Sequence, residues 1–334
     1  MAGMRRILVA VKDLKGKTLP AVLKAAQIAR ACGAQLEVFH SLSSPLYVDF
    51  KAIGRRGLDG IEEAQRQQAL RRLEAIAYRL RRHSIRVGVS AVWDFPAYEA
   101  IIRRAQEIKA DLIVVARHEG RHTMPWLMRL TDWELVRLSP IPLLLVKDTH
   151  AYRHPAVLAA IDPSHAHAKP LELDGSILRV AGTIAKAMRG TLHAVHAYVP
   201  LPLSTMPMEA LTPGSVESMQ QEAERSARKR FDRALTTARV ARGRRYLVPR
   251  HPVDAIPHAA RQCEADIVVM GAMSRSGAAR LLIGNTAERI LDDLACDILV
   301  VKPQKFRGKV GRAPRGARLV VAPAGTQGYG IGLF

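Results

Sequence analysis

The residues best suited to chemistry in this sequence form a run of small side chains from Gly271 to Thr286. The run follows the apolar segment 266–270, which we interpret as a buried parallel strand, and it precedes an amphipathic helix at 287–294. Small residues between a strand's carboxyl end and a helix's amino end let backbone N–H groups approach an anion closely. The spacing therefore predicts a phosphate-binding loop. It is not a Walker loop, because the run contains no Gly-Lys-Ser/Thr sequence.

This run resembles the nucleotide loop of the universal stress protein family, in which two spaced glycines precede a third glycine and a serine or threonine. Ser274 occupies the place of the second glycine, and Asn285 occupies the hydroxyl position with Thr286 one residue later. The Gly-Asn-Thr-Ala-Glu form is similar to that of the tandem, E-type members. The resemblance therefore implies a small nucleotide-like ligand, with ATP as one candidate cofactor.

The candidate ligand-binding residues lie where a parallel sheet of this kind presents its strand ends. The resemblance implies that Asp162 would contact an adenine or ribose, and that the helix at Thr286 would receive phosphate. The alternative is that Gly271 and Gly284 only permit tight turns and close packing, while Asn285 or Thr286 caps a helix. The candidates are Asp162, Ala197, Gly271, Ser274, Gly277, Gly284, Asn285 and Thr286.

The sequence contains an internal repeat, and the repeat shows which part of each copy the small-residue run belongs to. The matching segments are 110–115 with 265–270, Thr131 with Thr286, 144–147 with 299–302 and, at a slightly different offset, 7–11 with 157–161. The chain therefore contains two diverged copies of one unit, here called copy one and copy two. We predict copy one at 1–150, copy two at 151–303, and a basic, glycine-rich tail at 304–334 that is partly disordered.

Strand and helix signals alternate in both copies, which predicts an α/β fold with two doubly wound parallel sheets of five strands each. The family resemblance adds the strand order 3-2-1-4-5, of the adenine nucleotide alpha hydrolase-like type, and an intramolecular pseudo-dimer joined through the fifth strands. Strands are predicted near 5–12, 34–41, 84–92, 111–116, 142–147, 156–161, 191–197, 244–248, 266–270 and 297–302. Helices are predicted near 18–32, 59–83, 96–109, 130–138, 174–189, 215–241, 253–264 and 285–295.

Copy one has lost the phosphate loop. Ala116, Glu119 and Arg129 match Gly271, Ser274 and Gly284, and Lys12 stands where copy two has Asp162. An acidic side chain repels phosphate and bulky residues block the backbone, so we expect no phosphate site here. The segments 93–96 and 131–133 are similar to first-domain signatures of the E-type proteins. They line a separate apolar cavity or pack as an aromatic core.

The pentapeptide His118-Glu119-Gly120-Arg121-His122 fits the His-Glu-x-x-His pattern of zinc metalloproteases. That chemistry needs both histidines on one face of a helix. Here the pentapeptide directly follows a predicted strand and contains Gly120, which is a poor helix residue. We therefore interpret the match as coincidental and predict no metal site.

The composition limits the remaining function classes. The chain has 334 residues and a net charge of +21, which favours anionic partners, but aromatic residues make up only 5%. We therefore do not expect nucleic acid to be the main partner. Cys32, Cys263 and Cys296 form no paired motif, so neither a zinc ribbon nor a disulfide framework is indicated.

The start of the chain leads directly into a predicted core strand, and no apolar run is long enough to span a bilayer, so we expect a cytoplasmic protein without a membrane span. No Ser-His-Asp, paired-carboxylate or nucleophilic-cysteine arrangement is evident. This absence weakens an enzyme assignment, and the family resemblance implies a non-catalytic stress-response or regulatory protein that can form a homodimer and has unidentified protein partners. The alternatives are an ATP-binding switch or weak ATPase, and an adaptor for anionic surfaces or nucleic acid.

Overall fold

Strands and helices alternate along the protein in a computed structural model that describes residues 3–16, 19–43, 46–48, 50–117, 125–164, 172–199, 213–271, 285–308, 310–317 and 319–321. Copy one contains β1 (Arg6–Ala10), α1 (Pro20–Cys32), β2 (Gln35–Leu42), β3 (Leu46–Val48), α2 (Phe50–Arg81), β4 (Val87–Trp93), α3 (Ala97–Glu107), β5 (Leu112–Ala116), α4 (Pro125–Leu138) and β6 (Leu143–Val146). Copy two contains β7 (Ala156–Ala160), α5 (Glu172–Ala187), β8 (Thr191–Ala197), α6 (Pro213–Leu235), β9 (Arg245–Val248), α7 (Pro252–Gln262), β10 (Ile267–Gly271), α8 (Asn285–Asp293) and β11 (Asp297–Val301), and β12 (Leu319–Val321) follows in the tail.

The ten long strands form one sheet in the order β4-β2-β1-β5-β6-β11-β10-β7-β8-β9. Within each copy all neighbouring strands are parallel, and each half-sheet has the predicted order 3-2-1-4-5. The α/β fold and the tandem arrangement are therefore confirmed. The carboxyl ends of the parallel strands in each half meet at one edge, which is where ligands of such sheets bind.

The two half-sheets join through their fifth strands, as the family resemblance implied. Strand β6 pairs with β11 in the antiparallel direction, with Leu144 opposite Leu299. The two five-stranded sheets are consequently halves of one continuous ten-stranded sheet, and the pseudo-dimer contact lies at its centre.

Both faces of the sheet are buried beneath helices, which explains the nearly continuous apolar runs in its strands. In β1, for example, Ile7, Leu8 and Val9 are all 0% exposed although successive side chains point to opposite faces. Helices α1, α2, α5 and α6 cover one face, and α3, α4, α7 and α8 cover the other. Each apolar layer runs through both copies, so the junction between them is part of the hydrophobic core.

The structure differs from the sequence-based expectation at several helix ends and in the tail. Helix α2 begins at Phe50, earlier than the start predicted near residue 59, because the helix continues through Gly54, Gly57 and Gly60. Glycine costs about 1 kcal/mol in a helix interior, which is why the sequence pattern predicts a later start. The difference in the tail is a small sheet in which β12 pairs in parallel with β3 of copy one, with Val320 opposite Tyr47.

Among the described residues, no helix combines the length and apolar character that crossing a membrane requires.

Candidate functional site

Three strands of copy two end side by side and form the candidate ligand edge. Ala160 at the end of β7 pairs with Met270 of β10 on one side and with Val195 of β8 on the other. The next residues along these strands, Gly271 and His196, therefore lie on either side of the β7 end. Asp162 and Ala197 follow immediately, so the predicted residues Asp162, Ala197 and Gly271 come to the same edge of the sheet.

The turn after β7 holds the backbone of Asp162 and leaves its side chain half-buried. The Asp162 N–H donates to Oδ1 of Asp174 at 3.2 Å, and the Ser164 hydroxyl donates to the Asp162 carboxylate. Asp174 lies in the first turn of α5, where the helix dipole stabilises a negative charge. A short polar network thus orients Asp162 at the edge, in a position from which a hydroxyl of a ligand could be bound.

His196 is a buried polar residue at this edge that the sequence analysis did not assign to the site. Its side chain is 1% exposed and packs against Phe231, with 5.8 Å between the ring centroids. Its Nδ1 lies 3.3 Å from the carbonyl oxygen of Ile161, and because a carbonyl only accepts, Nδ1 carries the proton. Its Nε2 is buried and has no hydrogen-bond partner among the described residues.

Burial lowers the pKa of His196 below its ordinary value of 6.5, and the carboxylates of Asp162 and Asp174 oppose that shift. The internal repeat could have pointed to His196. His40 of β2 occupies the matching place in copy one, and its Nδ1 lies 2.7 Å from the carbonyl oxygen of Val11. A histidine bonded to the end of the first strand is therefore a shared feature of the two copies.

Gly271 is needed for packing at the end of β10. A Cβ atom built at this position would lie 2.7 Å from Cδ2 and 3.2 Å from Cγ of Leu173 in helix α5. The glycine therefore permits the close approach of α5 to the sheet edge. This contact supports the packing role that the sequence analysis left open beside the binding role.

Of the remaining predicted site residues, some lie outside the residues that the structure describes and two lie at the start of α8. Ser274, Gly277 and Gly284 lie outside the described residues, as does the pentapeptide from His118 to His122. Asn285 and Thr286 are the first two residues of α8. Their contacts with a ligand stay predictions. In the described part of the chain, no group of three or more His, Cys, Asp and Glu side chains is arranged to hold a metal ion.

The corresponding edge of copy one is occupied by its own cationic residues. Lys12 takes the place of Asp162. Partial burial lowers the pKa of Lys12 below its ordinary value, and the carboxylate of Asp132 opposes part of that shift. Ala116 takes the place of Gly271 and is followed by Arg117. The Arg117 guanidinium lies 6.0 Å from the ring of Trp133 and forms an ion pair with Asp292 of copy two.

Two cations of copy one cap the carboxyl end of helix α8. Arg117 donates to the carbonyl oxygen of Leu291, and the Lys147 ammonium donates to that of Leu294. The carboxyl end of a helix carries a partial negative charge, so both contacts are favourable. Helix α8 begins where the small-residue run of copy two ends, and it therefore links that run to copy one.

The three cysteines form no disulfide bonds and are partly buried. Burial raises the pKa of the Cys263 thiol to about 11 and that of the Cys296 thiol to about 12, and it also raises the pKa of Cys32. The thiolate is the nucleophilic form, so none of these thiols is activated at neutral pH.

A groove of about 620 Å³ lies between α7 and the end of α8, and Asp162 is not among its lining residues. Its charged lining consists of Arg250, Arg261, Asp254 and Asp293, so the positive and negative charges balance. This balance offers no net attraction for an anion.

Comparisons with known proteins agree with this architecture. The model of the universal stress protein family matches residues 3–147 and 156–302, one match in each copy. Universal stress protein E of Escherichia coli K12 is 26% identical over 321 residues, which cover 93% of this chain and 98% of that protein. Universal stress protein E of Salmonella typhi is 25% identical, with the same coverage of both chains.

Solved structures show the same fold. A functionally unknown protein from Pseudomonas aeruginosa PAO1 aligns with a TM-score of 0.65 at 24% identity, covering 90% of this chain and 93% of that one. A universal stress protein from Archaeoglobus fulgidus aligns with a TM-score of 0.57 at 14% identity, covering 88% of this chain and 98% of that one. With a family match in each half of one continuous sheet, the chain belongs to the universal stress protein family as a tandem, E-type member.

Proposed function

We propose that this chain is a non-catalytic stress-response protein that binds one small, nucleotide-like anion at the ligand edge of copy two. Membership of the universal stress protein family supports a role in stress response. The finer assignment, a single ligand site in copy two alone, rests on the difference between the two sheet edges.

The observation that carries the proposal is the contrast between matching positions. The edge of copy two has the half-buried carboxylate of Asp162, and Gly271 introduces its small-residue run. Copy one instead has Lys12 and Ala116, and its next residue, Arg117, reaches across to copy two. By its sequence and its described residues, the edge of copy two therefore combines a hydrogen-bond acceptor for a sugar with a following run of small residues of the kind suited to phosphate.

Helix α8 supports the same assignment. Its amino end follows directly after Gly284 in the sequence, and the first backbone N–H groups of a helix together with the helix dipole favour an anion. Its carboxyl end is held by Arg117 and Lys147 of copy one. The helix is thus oriented before a ligand binds, which lowers the entropic cost of binding.

Calorimetric titration of the full-length protein with ATP, together with native mass spectrometry of the purified protein, tests the proposal. We expect one bound molecule per chain, and we expect Gly284→Arg to abolish binding because a bulky residue in the small-residue run would hinder the close approach of its backbone to phosphate. The matched control is Gly60→Arg, since Gly60 is an exposed helix residue with open space around it. Retention of full affinity by Gly284→Arg would exclude copy two as the site, and a wild-type protein that binds no small molecule would contradict the proposal.

The same samples test the non-catalytic assignment. Among the described residues, His196 is buried and the cysteine thiols have raised pKa values, so no activated nucleophile is available at the edge. We expect phosphate release from ATP at the background rate. Release that depends on Asp162, measured with Asp162→Asn, would favour the alternative of a weak ATPase.

A further inference from the structure

Two buried carboxylates lie together at the start of helix α3 in copy one, and we call them the acidic pocket. Asp94 directly follows β4, and Glu99 lies in the first turn of α3; their side chains are 2% and 8% exposed. Arg103 donates to Asp94 at 2.9 Å and to Glu99 at 3.1 Å. One buried cation therefore serves two buried anions, and an uncompensated buried charge is costly. The pocket requires a second cation.

The tail supplies that cation from the far end of the chain. The Arg315 guanidinium donates from Nη2 and Nε to the two carboxylate oxygens of Glu99, at 2.6 and 3.0 Å. The Arg315 backbone N–H donates to Oδ1 of Asp94 at 2.8 Å. This is the two-pronged geometry that a guanidinium makes and an ammonium cannot, so the pocket selects arginine over lysine.

The rest of the tail lies against copy one as an extended peptide lies against a receptor. The carbonyl oxygen of Gly311 accepts a hydrogen bond from Arg103 at 3.3 Å, and Val310 packs on the apolar layer that contains α3. Gly316 has a φ of +75°, a left-handed conformation that favours glycine, and it redirects the chain after Arg315. The tail then adds strand β12 to β3. Main-chain pairing plus one anchored side chain is a recurring mode of peptide recognition.

We propose that the acidic pocket is a binding site for an arginine carried on an extended, strand-forming peptide, and that the tail is its exchangeable ligand, held in cis. The partner is a protein segment that presents an arginine to Asp94 and Glu99 and pairs with β3. The side chain of Arg315 is 64% exposed, so it can leave the pocket without unfolding the core. The pocket lies in copy one, so this proposal is independent of the ligand site in copy two.

A competition experiment with the full-length chain tests the proposal. The probe is a fluorescent peptide of residues 304–321, and its binding is followed by fluorescence anisotropy. The tethered tail competes at an effective concentration near the millimolar range, so the wild-type chain should bind the peptide weakly. Because its hydrogen bonds to Glu99 and Asp94 anchor the tail in the pocket, Arg315→Ala in the chain should weaken this competition and raise the affinity for the peptide by about 10-fold.

Two controls separate recognition from general charge attraction. The matched control is Arg312→Ala in the chain, because Arg312 is exposed and forms no ion pair with Asp94 or Glu99. It should bind the peptide as the wild-type chain does. A peptide with Arg315→Lys should bind the Arg315→Ala chain about 10-fold more weakly than the native peptide, because lysine cannot make both bonds to Glu99.

Equal binding by the wild-type and Arg315→Ala chains would overturn the proposal, and so would equal binding of the arginine and lysine peptides. Glu99→Gln in the Arg315→Ala chain should also abolish binding, with circular dichroism reporting the fold. If that variant does not fold, the peptide substitutions still decide the matter, since they leave the receptor unchanged.

Discussion

Lys24 of helix α1 and Asp297 of strand β11 form a buried ion pair that joins the two copies, with 2.6 Å between Nζ and Oδ2. Their side chains are 2% and 0% exposed. Oδ1 of Asp297 also accepts the backbone N–H groups of Lys147 at 2.8 Å and Asp148 at 3.0 Å, and the Tyr152 hydroxyl donates to the same carboxylate. The carboxylate thus accepts hydrogen bonds from copy one and from Tyr152, which lies in the segment before β7.

We expect Asp297→Asn to lower the free energy of unfolding by about 3–5 kcal/mol, because it leaves the Lys24 ammonium buried without a countercharge. Adding Lys24→Met should recover part of the loss, since methionine removes that charge and asparagine still accepts from the Lys147 N–H. Urea denaturation of the single and double variants measures both effects. The control is Glu63→Gln, which breaks an exposed pair with Arg66 and should cost less than about 1 kcal/mol. Equal losses at the two sites would mean that the buried pair does not hold the copies together.

Gly271→Ala should destabilise the protein by about 1–3 kcal/mol, because the new Cβ would overlap the buried side chain of Leu173 and force that side chain to move. The matched substitution is Gly60→Ala in the interior of α2, where a Cβ meets nothing within 4 Å. It should stabilise the protein by about 0.5–1 kcal/mol, because alanine has the higher helix propensity. Thermal denaturation followed by circular dichroism distinguishes the two. If Gly271→Ala leaves the melting temperature unchanged, the packing of α5 against the end of β10 does not require glycine at this position.

Lys302 provides a pH-dependent prediction. Burial lowers the pKa of this lysine from 10.5 to about 8 in the folded protein. The folded state then releases its proton at lower pH than the unfolded state does, so the unfolded state binds more protons between pH 8 and 10.5 and stability rises with pH there. Below pH 8 the folded protein carries the net cost of burying this charge beside the Phe306 ring, on the order of a few kcal/mol by the pKa difference.

Lys302→Met should therefore raise stability near pH 7 and remove the increase that the wild-type protein shows between pH 8 and 10.5. Urea denaturation at a series of pH values measures this difference. Lys305→Met is the control, because Lys305 is an exposed lysine in the same segment. If Lys302→Met and the wild-type protein keep parallel pH profiles, the ammonium of Lys302 is hydrated in solution.

Much of the fold could be predicted from the sequence because each copy carries local signals. Apolar runs such as 143–146 and 297–301 are the fifth strands in both the sequence pattern and the structure. The strand order within each half came from the family resemblance, since periodicity carries no information about which strands pair. The pairing of β3 with β12 was not predicted, because short strands far apart in sequence leave no pattern that relates them.

Among the functional residues, too, those with a local sequence signal could be predicted and those that depend on long-range contacts could not. Asp162 and Gly271 could be nominated because each directly follows an apolar strand and the copies align there. The acidic pocket could not, since Asp94 meets Arg315 across 221 positions of sequence. The ion pair of Lys24 with Asp297 was hidden for a related reason. The pair is not repeated by the internal symmetry, because Pro142 takes the place of Asp297 in copy one, so comparing the copies gives no sign of it.

The antiparallel contact between β6 and β11 has a consequence for assembly. Strand β6 lies between β5 and β11, and β11 lies between β6 and β10. Both fifth strands are therefore paired on both sides, and neither offers a free edge to a further chain. A second molecule would have to dock elsewhere, on the outer strands β4 or β9 or on the helices. Because the two halves are covalently tethered, their association does not depend on protein concentration. Dilution in the cell therefore leaves this pairing intact, whereas a pair of separate single-domain subunits would dissociate.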